Sequence, residues 1–168
     1  MMNIKTKIPP PLVLLTFGFL INYTKNIFPK IEIRNEIIFG SFVIIIGLII
    51  ILSAIILFKK YQTTITPLNP SNATKLITDG IYKFSRNPMY LGLLLVLSGI
   101  SIILNPIGGL FLIPLFILYL NLFQIIPEEN AMVDLFKDEF LDYKENVRRW
   151  IWNFSSISTT DTLVKFDL

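Results

Sequence analysis

Long stretches without charged side chains constrain the fold of this chain more than any other feature. Residues 37–58 are uncharged and rich in Ile and Leu, and residues 87–127 contain no ionisable group except the phenols of Tyr90 and Tyr119. A helix needs about 20 apolar residues to cross the hydrocarbon core of a bilayer. Because backbone polar groups find no water there, these stretches predict an all-α integral membrane protein.

The composition agrees with a membrane location. Hydrophobic residues make up 53% of the chain and charged residues 16%, and the mean hydropathy is +0.64. At about 20 residues per transmembrane helix, a chain of 168 residues has room for about four spans with short connections. We therefore predict one membrane-embedded domain over residues 1–152, followed by a polar tail over residues 153–168.

Four apolar runs are the candidate spans. Residues 37–58 form one of them, and residues 89–104 and 110–126 are separated by an Asn-, Pro- and Gly-rich segment, which predicts a helical hairpin. Residues 12–22 follow three prolines and are interpreted as a short or tilted helix. A signal peptide is the competing interpretation, disfavoured because no small-x-small cleavage site follows.

Apolar residues recur at helical spacing after Pro127. They are Met132, Phe136, Phe140, Tyr143, Val147 and Trp150. This spacing predicts an amphipathic C-terminal helix, on whose charged face Glu145 and Arg149 are placed as an i,i+4 pair.

The distribution of basic residues predicts the orientation. With the N-terminus in the cytoplasm, twelve of the fifteen Lys and Arg residues fall on the cytoplasmic side, and only Lys25, Lys30 and Arg34 fall on the other. Cytoplasmic loops are enriched in Lys and Arg. We therefore predict a cytoplasmic location for both termini, the loop over residues 59–89 and the amphipathic helix. Any site that these segments form is predicted to be cytoplasmic as well.

Missing residue types exclude several kinds of chemistry. The chain has no Cys and no His, which removes thiolate catalysis, Cys-based metal sites and the commonest metal ligand. No metal is therefore expected. The net charge of +3 comes from basic residues scattered beside apolar runs, so the expected partner is a lipid bilayer and not nucleic acid.

Polar chemistry is concentrated just before the uncharged hairpin. Arg86 is followed by Asn87 and Pro88, which favour an extended turn, and Tyr82 and Tyr90 flank it. These side chains would form a wall for a planar polar ligand. The alternative for Arg86 is a simple anchor whose side chain reaches the membrane surface.

Two adjacent carboxylates, Glu128 and Glu129, follow the hairpin. Capping of the helix that starts at Pro127 is one explanation, since acidic side chains favour a helix N-terminus. If one of them turns inward, it requires a cation such as Arg86, an ammonium group or a sulfonium.

These residues resemble the isoprenylcysteine carboxyl methyltransferase and phospholipid methyltransferase superfamily of integral membrane enzymes. The resemblance covers residues 64–151. The matching pieces, in order, are Leu76-Ile77-Thr78-Asp79-Gly80-Ile81-Tyr82, Arg86-Asn87-Pro88-Met89-Tyr90, Glu128-Glu129-Asn130-Ala131-Met132, Phe136 to Tyr143 and Val147-Arg148-Arg149.

The resemblance implies S-adenosylmethionine (SAM) as methyl donor, in a cytoplasm-facing pocket capped by the C-terminal helix, and a lipophilic acceptor that enters between helices. The residues at the family's cofactor-contact positions are Thr74, Lys75, Leu76, Ile77, Tyr82, Asn87, Pro88, Met89, Tyr90 and Glu128. Arg86, Tyr90 and Glu129 are the candidate catalytic residues, for holding the cofactor carboxylate or the loop and for taking up a proton.

Two positions depart from the family pattern. Asn87 replaces the motif His, which keeps hydrogen bonding but removes imidazole proton uptake. Gln124 stands one turn before the glutamates, where the carboxyl methyltransferases have an Arg thought to orient the substrate. A neutral amide is a poor substitute for a guanidinium clamp, so the case for a prenylcysteine carboxylate is weakened.

The sequence predicts a SAM-dependent methyltransferase acting on a small or lipid-borne carboxylate, amine or thiol at the cytoplasmic membrane face. A non-catalytic four-helix scaffold that retains the fold is the alternative. An NADPH-dependent reductase is disfavoured, because the loops lack a cluster for the extra phosphate. The identity of the acceptor and the oligomeric state stay open.

Overall fold

The described part of the chain is entirely helical. The computed structural model describes residues 8–29, 31, 33–61 and 75–151, which contain no strand. The helices are α1 (Pro10–Tyr23), α2 (Glu36–Lys60), α3 (Pro88–Leu104), α4 (Pro106–Leu120) and α5 (Ile126–Asn146). A π-helical turn, Asn121–Ile125, joins α4 directly to α5, and short 3₁₀ turns lie at Thr24–Asn26 and Gly80–Lys83.

Two continuous helical stretches are long and apolar enough to cross a membrane. They are α2 and the stretch Pro106–Asn146, whereas α3 is apolar but shorter, with 17 residues. The apolar part of the second stretch ends at Ile126, so we take residues 106–126 as its spanning part and the charged remainder as lying outside. The predicted number of four spans and the cytoplasmic location of the last helix stay predictions.

The side chains of α2 face outward in a way that suits lipid. Its buried residues are all small, namely Gly40, Gly47 and Ala54, whereas Ile38 is 67% and Phe39 57% exposed. The central helix of a soluble domain would instead bury its large apolar residues. A long apolar helix with this pattern is typical of a transmembrane helix that contacts its neighbours through a small-residue seam.

That seam joins α2 to α3. Gly40 lies against Gly99 and Gly47 against Gly92, so the two helices run antiparallel and meet at an interval of about two turns. A Cβ at Gly92 would stand 2.7 Å from the carbonyl oxygen of Gly47. Glycine is therefore required for the close approach of the two backbones.

The predicted hairpin between the third and fourth apolar runs is confirmed, but its turn is shorter than expected. α3 ends at Leu104 and α4 begins at Pro106, so Asn105 alone reverses the chain. Its side-chain oxygen accepts hydrogen bonds from the backbone N–H groups of Ile107 (3.1 Å) and Gly108 (3.2 Å). This N-cap satisfies the first donors of α4 and makes a longer loop unnecessary.

The helical core lies between α1, α3 and α4. Val13 and Ile21 of α1 pack with Leu97, Phe116 and Leu120. The predicted helix in the first apolar run is confirmed as α1, which has 14 residues and a length of about 21 Å. Whether it spans the membrane or acts as a signal peptide stays open.

A second apolar cluster lies at the end of the bundle where α2 terminates. Phe140 and Tyr143 of α5 pack there with Ile77, Tyr82 and Ala54. The predicted amphipathic helix is thus confirmed, with two corrections. It is broken at Lys137 (φ 47°, ψ −122°), and it ends at Asn146, so that Val147 and Trp150 lie beyond it.

Candidate functional site

The candidate site lies where three segments meet at one end of the bundle. The turn over residues 80–87 enters α3 at Pro88, the start of α5 carries the two glutamates, and residues 147–151 fold back after α5. We call residues 147–151 the C-terminal strap. Gly80 has a positive φ of 58°, which glycine adopts without strain, and this directs the chain into the 3₁₀ turn that carries Tyr82.

Arg86, Glu129 and Arg149 form a partly buried ionic cluster. Nη2 of Arg86 donates to Oε1 of Glu129 at 2.9 Å. Arg149 donates from Nε to Oε1 of Glu129 at 3.1 Å and from Nη2 to Oε2 at 2.7 Å. The side chains of Arg86 and Glu129 are each 8% exposed, and that of Arg149 is 32% exposed. Both oxygens of Glu129 are therefore occupied by guanidinium groups.

Arg86 also holds the end of α5. Its Nη1 donates to the carbonyl oxygens of Lys144 and Val147, both at 2.8 Å, and its backbone N–H donates to the carbonyl of Arg148 at 3.0 Å. A cation at a helix C-terminus satisfies carbonyls that lack partners within the helix. Arg86 therefore links α3, α5 and the strap.

The carbonyl oxygen of Arg149 accepts two further hydrogen bonds from the turn before α3. Ser85 donates from Oγ at 3.2 Å and Asn87 donates from Nδ2 at 3.1 Å. Ser85 Oγ in turn accepts the backbone N–H of Asn87 at 3.1 Å. Asn87 thus acts as a donor that fixes the strap, a role that needs no imidazole.

Glu128 has a different environment from its neighbour Glu129. It accepts a hydrogen bond from the hydroxyl of Tyr90. In the part of the chain that the structure describes, the ion pairs with Arg86 and Arg149 belong to Glu129, and no Lys or Arg pairs with Glu128. Glu128 is therefore a carboxyl group that faces phenols instead of cations.

The two carboxyl groups have opposite shifts in pKa. Burial raises the pKa of Glu128 to about 8, the Tyr90 hydrogen bond partly opposes this, and the charge of Glu129 adds to it. Burial alone would raise the pKa of Glu129 as well, but the hydrogen bonds from Arg149 and Arg86 outweigh it and hold that pKa below the usual value. At neutral pH Glu129 is therefore ionised, whereas Glu128 is largely protonated.

Tyr82 lies close to this carboxyl group and is fixed on both sides. Its ring packs edge-to-face on Phe58 with centroids 5.8 Å apart, and its carbonyl accepts the hydroxyl of Tyr143 at 2.7 Å. Burial raises the pKa of the Tyr82 phenol, so the ring stays neutral.

Most of the predicted site residues lie at this end of the bundle. Leu76, Ile77, Tyr82 and Met89 share the second apolar cluster, and Tyr90 contacts Glu128. Lys75 lies over the ring of Tyr61, which packs against the same cluster, with Nζ 4.5 Å from the ring centroid. Thr74 lies outside the described residues.

The part played by Arg149 was missed from the sequence. Its predicted i,i+4 pairing with Glu145 is wrong, because α5 ends at Asn146 and the guanidinium turns back to Glu129. The pairing joins residues 20 positions apart across an irregular segment, which helical periodicity does not address. The match of Val147-Arg148-Arg149 to the family pattern was the one sequence signal at this position.

The comparison with family models identifies the chain's relatives. Residues 35–139 match the model described as phospholipid methyltransferase. The chain belongs to the phospholipid methyltransferase family. The family match covers α2, α3, α4 and both glutamates, and it ends before the C-terminal strap.

Curated relatives of this phospholipid methyltransferase family member include two plant enzymes. Protein-S-isoprenylcysteine O-methyltransferase A of Arabidopsis thaliana is 32% identical over 112 residues, and the B form is 29% identical over 111 residues. Each match covers 65% of this chain and 55% of the plant protein, so the chain spans about half the length of those relatives.

An uncharacterized protein of Haemophilus influenzae is 45% identical over 64 residues, which are its full length and 38% of this chain. No solved structure matches the chain significantly. The resemblance stated from the sequence motifs is thus confirmed at the level of the family. Family membership and the apolar helices together support a membrane methyltransferase.

Proposed function

We propose that the chain is a SAM-dependent methyltransferase that acts on a small or lipid-borne acceptor at the cytoplasmic membrane face. The observation that carries the proposal is the contrast between two adjacent glutamates. Glu129 is neutralised by two arginines, whereas Glu128 is held by a phenol and pairs with no cation among the described residues. A buried carboxylate is costly unless a positive charge pairs with it. A cationic ligand would provide that charge.

The residues around Glu128 fit the chemical groups of SAM. SAM carries an ammonium group, a sulfonium and an aromatic base. Glu128 would bind the ammonium group, and the faces of Tyr82 and Tyr90 suit a sulfonium or a planar ring. Leu76, Ile77 and Met89, which pack with or near Tyr82, would form the apolar side of the site.

When bound, SAM supplies a methyl group on a positively charged sulfur. The contribution of the chain is to bind and orient the reactants, since alignment alone accounts for much of the rate of such a displacement. Tyr90 would hold the carboxyl group of Glu128 in place through its hydroxyl. A site without His is compatible with this role.

We assign holding roles to two of the three candidate catalytic residues. Both oxygens of Glu129 and both terminal nitrogens of Arg86 are engaged within the protein. The Glu129 carboxylate is therefore already paired, whereas Nε of Arg86 is a buried donor without a hydrogen-bond partner among the described residues. A carboxylate or thiolate acceptor needs no base. For an ammonium acceptor Glu128 would be the candidate base, since the Tyr90 hydroxyl is a neutral donor to it.

The class of acceptor stays open at this stage. The plant relatives are named as isoprenylcysteine O-methyltransferases, but the chain spans about half of their length. Gln124, at the position of the substrate-orienting Arg, donates from Nε2 to the carbonyl of Ile8 at 2.8 Å. It is therefore used within the bundle and provides no positive charge for a carboxylate.

Transfer of radiolabelled methyl groups tests the proposal. Protein purified in detergent is incubated with methyl-labelled SAM and a membrane lipid extract. The expected result is label in the lipid fraction. Label should be lost with the Glu128→Gln variant and retained with Lys25→Gln, which removes an exposed charge at the opposite end of the bundle. Absence of transfer together with absence of SAM binding would favour the scaffold, and competition by NADPH would favour the reductase.

A further inference from the structure

We infer that Arg149 is a positioning residue for the site around Glu128. The inference rests on the proposed function, and Arg149 is not among the site residues predicted from the sequence. Arg149 joins the C-terminal strap to both segments that supply the site. Through these contacts it sets the position of Glu128 relative to Tyr90.

The side chain of Arg149 fixes the start of α5. Nε and Nη2 donate to the two oxygens of Glu129 at 3.1 and 2.7 Å, which is a bidentate contact. A bidentate guanidinium–carboxylate pair restricts direction as well as distance. Because Glu129 is adjacent to Glu128, this contact determines which way the first turn of α5 presents the Glu128 carboxyl group.

The backbone of Arg149 fixes the start of α3. Its carbonyl oxygen accepts from Ser85 and from Asn87, at 3.2 and 3.1 Å. Asn87 is the N-cap residue of α3 and stands three positions before Tyr90. One residue thus ties together the two helix starts whose side chains form the Tyr90–Glu128 hydrogen bond.

The position of Arg149 favours a variant that keeps the fold. Its side chain is 32% exposed, and Glu129 has a second ion pair, with Arg86, that we expect to remain when Arg149 is replaced. Arg148 offers a matched control, because it precedes Arg149, carries the same charge and has an exposed side chain. Its hydrogen bond with the backbone N–H of Arg86 is made by its own backbone carbonyl, so it does not depend on the side chain. A general effect of lost positive charge would appear equally at both positions.

The experiment compares Arg149→Gln, Arg149→Lys and Arg148→Gln with the native protein in detergent. We expect Arg149→Gln to weaken SAM binding and raise KM for SAM by about tenfold, with a smaller change in kcat. Arg148→Gln should stay within about twofold of the native protein. Arg149→Lys keeps the positive charge but cannot make the bidentate contact of a guanidinium, so it should recover only part of the affinity for SAM.

A pH profile separates positioning from a structural role. Loss of the Arg149 cation removes one of the groups that hold the pKa of Glu129 below its usual value. The SAM affinity of Arg149→Gln should therefore fall more steeply than that of the native protein as the pH is lowered. If Arg149→Gln unfolds in circular dichroism, Arg149→Lys provides the same comparison with the charge retained.

Three outcomes overturn the inference. Equal effects of Arg148→Gln and Arg149→Gln would show a charge effect. If Arg149→Gln has the same SAM affinity and the same pH profile as the native protein, the strap does not position the site. Absence of SAM binding by native, folded protein would overturn the inference and the proposed function together, whereas the first two outcomes leave the proposed function intact.

Discussion

At the scale of single residues, two identical neighbours have opposite roles. Glu129 forms ion pairs with Arg86 and Arg149, whereas Glu128 accepts a hydrogen bond from Tyr90 and pairs with no cation in the part of the chain that the structure describes. The sequence predicted that an inward carboxylate would need a cation, and it named Arg86 among the candidates. It did not indicate which glutamate turns to Arg86, because both stand in the first turn of α5 and only the packing against the strap distinguishes them.

The two glutamates should therefore differ in their effect on stability. Glu129→Gln leaves Arg86 buried without a full counter-charge, and we expect it to destabilise the protein by about 2–4 kcal/mol. Glu128→Gln replaces an unpaired carboxyl group with a neutral amide and should change stability by less than about 1 kcal/mol. Thermal unfolding of both variants without ligand measures the difference, and equal loss in the two variants would contradict the assignment.

Ligand binding should release a proton from Glu128. Burial raises its pKa to about 8, so Glu128 is largely protonated at pH 7. A bound cation favours the carboxylate and lowers that pKa, so SAM affinity should increase as pH rises towards 8. Calorimetry at pH 7 in two buffers with different ionisation enthalpies measures the release.

The same titration with Glu128→Gln serves as the control for proton release. This variant should release no proton and should bind with little dependence on pH between 6 and 7.5. Proton release that persists in the variant would assign the titrating group elsewhere.

At the scale of helices, apolar periodicity and glycine positions predicted which segments are helical and how they pack. They did not predict where helices break or end. The hairpin, α2 and the amphipathic face of α5 followed from the pattern of apolar residues. The break at Lys137 and the end of α5 at Asn146 did not, because neither position has a Gly or Pro nearby to mark it. At the end of α5 the backbone is held by Arg86, which donates hydrogen bonds to the carbonyls of Lys144 and Val147.

The packing of α2 against α3 should be disturbed even by one added methyl group in the glycine seam. A Cβ at Gly92 would stand 2.7 Å from the backbone oxygen of Gly47, which has little room to move. We expect Gly92→Ala to destabilise the bundle by about 1–3 kcal/mol. Gly18→Ala in α1 is the control, since a Cβ there meets nothing within 4 Å, and it should be neutral or slightly stabilising. Thermal unfolding in detergent compares the two, and a larger loss at Gly18 would contradict this packing.

At the scale of the whole molecule, the orientation in the membrane is an expectation from charge. Most of the described basic residues lie at the end of the bundle where α2 ends and α3 and α5 begin, whereas Lys25 and Arg34 lie at the opposite end, between α1 and α2. The geometry of the site follows from long-range contacts, such as Arg86 with Glu129, and the family pattern indicated the participants without their pairing. Periodicity describes a single helix, whereas the site depends on three segments that meet.

The absence of Cys makes the orientation directly measurable. A single introduced Cys is the only thiol in the chain, and Lys25→Cys and Lys83→Cys both replace exposed residues. We expect a membrane-impermeant maleimide to label Lys25→Cys in intact cells and to label Lys83→Cys only after permeabilisation. The opposite pattern would place the site on the outer face.

Calorimetric titration of SAM into detergent-purified protein, with Glu128→Gln and Glu129→Gln as variants, decides whether Glu128 forms a cofactor site. We expect saturable binding by the native protein, a loss of about thirtyfold or more in Glu128→Gln from removal of a charged contact, and a smaller loss of about tenfold in Glu129→Gln, which breaks the same contact as Arg149→Gln. No binding by folded native protein, or equal affinity in Glu128→Gln and the native protein, would contradict this expectation.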